Sequence, residues 1–167
     1  MKLSLYILFL LFVSVLFFKC DSFIVTPAAN ICDGEAFESA QAYNPQSEIH
    51  KIILFENNMR SEWYSNLPEE CQGTYVNFDI VGCIEKNDKI ELQKCNYTNG
   101  GTRTRKENCV KITLFEASTG NQIASSTFCG KVEACPTTIS IKSDVDINGD
   151  DVKYEDVETW LLGYLKK

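Results

Sequence analysis

Val110-Lys111-Ile112-Thr113-Leu114 sets apolar side chains against polar ones at every second position. That period belongs to a β-strand with one face buried and the other in water. The same alternation recurs in Val76, Phe78 and Ile80 against Asn77 and Asp79, and in Ile90 and Leu92 against Glu91 and Gln93. Ile49 with Ile52-Ile53-Leu54-Phe55 forms an earlier apolar run, and Ile139 with Ile141 closes the series. Turn-forming residues separate the runs: Asn57-Asn58, Glu85-Lys86-Asn87-Asp88, Asn99-Gly100-Gly101 and Thr119-Gly120-Asn121. Short strands without long helical crossovers predict a mainly β fold, a small disulfide-stabilised antiparallel β-sandwich or barrel.

A phrase is repeated within this series. Lys51-Ile52-Ile53-Leu54-Phe55-Glu56 matches Lys111-Ile112-Thr113-Leu114-Phe115-Glu116, and Lys89-Ile90-Glu91-Leu92 echoes both. It supports two related strand units but bears on the fold alone. Met59, Trp63 and Leu67 stand at helical spacing and predict a short helix after the first strand. At the C-terminus, Val157, Trp160, Leu161, Tyr164 and Leu165 mark one stripe of an amphipathic helix over 152–166. Glu155, Asp156 and Glu158 at its start and Lys166 with Lys167 at its end complement the helix dipole.

The remaining chain divides by composition. Lys2 precedes the apolar run Leu5 to Phe18, which reads as the signal peptide of an exported protein, residues 1–22, with cleavage before Phe23. As a helix that run spans about 21 Å, short of the roughly 30 Å hydrocarbon core, so an anchor is the weaker reading. Residues 23–47, with Pro27, Gly34 and Pro45 and little periodicity, read as an N-terminal arm. Residues 48–167 read as a single β-rich domain. Of 167 residues, 44% are hydrophobic and 16 Lys+Arg face 23 Asp+Glu. Removing 1–22 leaves 14 basic and 22 acidic residues, a net charge of −8. Such a chain repels nucleic acid and anionic membranes, so neither is expected as a partner once the signal is cleaved.

Export to an oxidising space makes disulfides the expected state of most cysteines. Cys71, Cys83, Cys95, Cys109, Cys129 and Cys135 are the candidates for pairing. Cys32, in the arm, is the expected odd one, free or joined to another chain, unless it tethers the arm to the core. No C-x2-C pair exists and His50 is the single histidine, which argues against zinc. Asn96-Tyr97-Thr98 is an N-glycosylation acceptor on a polar turn. Arg103, Arg105 and Lys106 form a small basic cluster beside it.

The densest chemical signal is Asp144-Val145-Asp146-Ile147-Asn148-Gly149-Asp150-Asp151-Val152-Lys153-Tyr154-Glu155, which fits D-x-[DN]-x-[DN]-G-x5-E. These twelve residues resemble the calcium loop of EF-hand proteins, with Asp151 where that loop carries an aliphatic residue. The resemblance implies Asp144, Asp146, Asn148, Asp150 and Glu155 as oxygen donors to Ca2+. No residues arrange as a catalytic motif: G-x-S-x-G, H-E-x-x-H and P-loop patterns are missing. The sequence therefore predicts a secreted binding or interaction protein whose partner is an extracellular protein or a glycan. Three alternatives remain: a calcium-dependent module using 144–155, a small carboxylate-based hydrolase, and a lipid carrier.

Overall fold

The computed structural model describes residues 27–74, 77–98, 100–138 and 146–167. The expected signal peptide, the Ile139–Ile141 strand and Asp144 lie outside them. Six strands are described: β1 (Ile52–Glu56), β2 (Met59–Arg60), β3 (Ile80–Asn96), β4 (Thr102–Glu116), β5 (Gln122–Cys129) and β6 (Ile147–Asn148). The helix α1 (Tyr154–Leu165) follows them. The strands form one sheet in the order β2-β1-β3-β4-β5, with β6 beside β4. The protein is mainly β, disulfide-braced, and closed by the C-terminal helix, as expected. Most pairings are antiparallel, but β1 runs parallel to β3 and β6 parallel to β4.

The parallel pair explains why Ile52-Ile53-Leu54-Phe55 does not alternate: all four side chains are buried, because the sheet is covered on both faces. On one face Ile52, Leu54, Ile80, Ile112 and Leu114 pack against Val157, Leu161 and Leu165 of α1. On the other, Ile53, Phe55, Val81 and Cys83 pack against Ala28, Ala29 and Ile31. The expected arm is therefore, from residue 28 on, the second covering layer. At the rim, Asp79 accepts the Lys51 N–H at 2.8 Å, and the Asp79 and Ile80 N–H groups donate to the Lys51 carbonyl. His50 Nδ1 lies 2.5 Å from Asp79 Oδ2. This knot holds the parallel register Ile52↔Ile80 and ties the chain end, since the His50 N–H donates to the Leu165 carbonyl.

Local sequence accounts for most turns. Asn57 and Asn58 both take positive φ, as the two-residue hairpin between β1 and β2 requires. The expected helix after the first strand is shorter: Met59 enters β2, and Glu62–Asn66 forms a 3-10 turn that begins at Ser61, whose side chain accepts the Trp63 N–H. Glu85-Lys86-Asn87-Asp88 is not a chain reversal. Ile80, the last residue of one expected run, and the Ile90–Leu92 run lie in one 17-residue strand. Phe78 stays outside it, and Val76 lies outside the described residues. Lys89, at φ +62°, absorbs the irregularity as a bulge opposite Asn108. A long partner strand made this possible, since β4 continues its ladder on both sides of the interruption.

Cysteine pairing also differs from expectation. Cys32 bonds Cys83, Cys95 bonds Cys135, and Cys109 bonds Cys129. Among the described residues, Cys71 is the free one, buried in the core under α1. The reason is the covering layer: its 3-10 turn Asn30–Asp33 carries Cys32 onto the β3 face that presents Cys83.

Candidate functional site

A groove of about 630 Å³ opens where three elements meet. The 3-10 turn gives Glu62, Trp63, Ser65 and Asn66; the β3–β4 ribbon gives Lys86, Asn108, Cys109 and Val110; the approach to α1 gives Asp151 to Glu155. Its volume falls in the range of small-ligand sites.

The groove wall is fixed by hydrogen bonds. Asn108 donates through Nδ2 to Asp151 Oδ1 at 2.9 Å and to the Gly149 carbonyl at 3.2 Å. Its Oδ1 accepts the Lys89 N–H at the bulge. The strand irregularity thus holds one wall residue, and that residue holds Asp151. Lys86 is paired with Glu56 at 2.6 Å. Glu62, Glu155 and Lys153 are exposed and enter no ion pair among the described residues. Half-buried Trp63 meets Tyr154 edge-on, centroids 6.5 Å apart at 71°. Burial pushes the Tyr154 hydroxyl above the ordinary tyrosine value.

Of the calcium-loop residues, 146–155 are among those described. Ile147 and Asn148 lie extended and parallel to Arg105-Lys106, and the Gly149 N–H donates to the Lys106 carbonyl at 2.7 Å. Asp146 pairs with Lys106 Nζ at 2.6 Å, and the Asp150 N–H donates to the Lys131 carbonyl. A Cβ on Gly149 would come within 2.7 Å of Val132, so glycine is needed here for close approach. Glu155 alone of the described candidates lines the groove. Among the described residues, the group of three ligand atoms within 4.8 Å is Glu107, Cys109 and Cys129, and its two sulfurs are bonded to each other.

Asn96 ends β3 and is exposed. Two members of the basic cluster are spent internally, whereas Arg103 Nε is buried without a hydrogen-bond partner. Arg105 donates to the Glu133 and Val132 carbonyls and to Gln93, and Lys106 holds Asp146. Burial pushes the Cys71 thiol above its ordinary value.

Sequence reasoning missed Asn108, Asp151 and Lys153 as a group, because they converge only when β6 docks on β4. Trp63 was legible as an aromatic residue but read as part of a helix. Comparison with protein-family models, curated proteins and solved structures finds no match to this chain.

Proposed function

We propose that this chain is a secreted protein that acts by binding an extracellular partner, with the groove around Trp63 and Asp151 as its contact region. The carrying observation is the set of three disulfides. Bonds of this kind persist in oxidising compartments, and here they staple the covering layer, the ribbon tip and the β4–β5 pair. Among the described residues, no helix is long and apolar enough to cross a membrane. A braced scaffold holding polar side chains around an open groove suits recognition, where preorganisation limits the entropy lost on binding.

Expression of the full chain through a secretory pathway tests this. The expected product begins at Phe23, carries three disulfides with the pairing above, and loses mass at Asn96 on glycosidase treatment. Its single thiol, Cys71, reacts with alkylating agents only after unfolding. An intact, intracellular chain with every thiol alkylatable would overturn the proposal.

A further inference from the structure

We infer that the groove takes a short, uncharged saccharide, seated on Trp63 and hydrogen-bonded along the Asn108–Asp151 wall. The inference rests on the binding role proposed above and specifies its ligand class.

Three features of the groove select this chemistry. Its lining carries both signs: the carboxylates of Glu62, Asp151 and Glu155, the ammonium of Lys153, and Lys86, whose charge is already taken by Glu56. A strongly anionic ligand would meet like charge from the three carboxylates. Apolar lining comes from Trp63, Cys109, Val110, Val152 and Tyr154, among polar lining residues, which suits a lipid chain poorly. A sugar ring combines the two requirements. Its C–H face stacks on the electron-rich face of an aromatic ring. Its hydroxyls both donate and accept, matching carboxylate acceptors and the Lys153 donor around the same space.

Preorganisation supports the assignment. One Asp151 oxygen is held by Asn108, which is itself held by the Lys89 N–H and the Gly149 carbonyl. Asp151 therefore needs little ordering when its other oxygen accepts a hydroxyl. Trp63 is positioned by the Ser61 side chain, which accepts its backbone N–H, and by a T-shaped contact with the Tyr154 ring.

The test uses the secreted, oxidised mature protein and trisaccharides of glucose, mannose, galactose and N-acetylglucosamine at millimolar concentration. The chain has two tryptophans, so Trp160→Phe leaves Trp63 as the sole indole reporter. At least one trisaccharide is expected to shift Trp63 emission saturably to the blue, with matching heat in calorimetry on the unsubstituted protein. Glu155→Gln and Asp151→Asn, both at exposed positions, should weaken binding about tenfold or more while the melting temperature holds. Trp63→Ala should abolish it. If no trisaccharide gives a saturable signal with folded, oxidised protein, the ligand class is wrong while the secreted binding role stands. A signal indifferent to all three substitutions would overturn the location. A chain that is neither cleaved nor oxidised removes the role beneath both.

Discussion

Two stretches of this protein share a vocabulary and end in opposite surroundings. Lys111-Ile112-Thr113-Leu114 runs through the centre of the sheet, where Ile112 and Leu114 are buried at 1% and 0% exposure. Lys89-Ile90-Glu91-Leu92 lies on the distal ribbon, where Ile90 and Leu92 are 42% and 45% exposed. Strand propensity is common to both; the cover is not. At the centre, α1 presses on one face and the Ala28–Ile31 layer on the other. The ribbon beyond Glu85 is held instead by the Cys95–Cys135 bond, by Arg105 reaching the carbonyls of Val132 and Glu133, and by β6. One region is stabilised by burial and the other by crosslinks and polar clasps.

The comparison breaks most directly under alanine substitution. Leu114→Ala should cost about 2–5 kcal/mol in denaturant unfolding, because it leaves a cavity between the sheet and α1. Leu92→Ala should stay within about 0.5 kcal/mol. Equal losses would mean that an unseen surface covers the ribbon. The two crosslinks should separate next. Each closes a long loop, 51 residues for Cys32–Cys83 and 40 for Cys95–Cys135, so each constrains the unfolded chain by about 4 kcal/mol. Replacing Cys32 and Cys83 by serine should lower global stability and also loosen the covering layer. Replacing Cys95 and Cys135 should add fast amide exchange confined to residues 90–104, read by hydrogen–deuterium exchange.

Titration sharpens the contrast more gently. Burial raises the hydroxyl pKa of Tyr154, Tyr64 and Tyr43, all near the doubly covered centre. Above pH of about 10 the unfolded chain releases these protons while the folded chain retains them, so stability should fall as pH rises. On the acid side, the hydrogen bond from Lys166 holds Glu70 below the usual carboxylate range. Its contribution is present above the ordinary glutamate pKa and lost as pH falls through the lowered value. Glu70→Gln should flatten that limb of a melting-temperature profile, slightly, because the pair is exposed. The smallest effect concerns calcium. With Asp146 already neutralised by Lys106, calcium and chelator should leave the melting temperature alike.

Much of the fold could be read residue by residue. Val157, Leu161 and Leu165 announced the buried stripe of α1 because helical period and side-chain chemistry are both local. Asn57-Asn58 announced a reversal because asparagine tolerates positive φ. The groove was hidden because Trp63, Asn108 and Asp151 are 45 and 43 positions apart and meet only through packing. Glu85-Lys86-Asn87-Asp88 misled because turn residues also build bulges, and a paired partner strand decides which.

By itself, then, the chain's order of residues determined its strand-forming segments, its closing helix, its acidic charge and an oxidisable set of sulfurs. These follow from side-chain chemistry and short-range geometry. Which sulfur stays free, which Ile-Leu pair is covered, and which polar groups share a groove were decided by tertiary structure. Each depends on the meeting of segments far apart in sequence, and no local preference encodes that meeting.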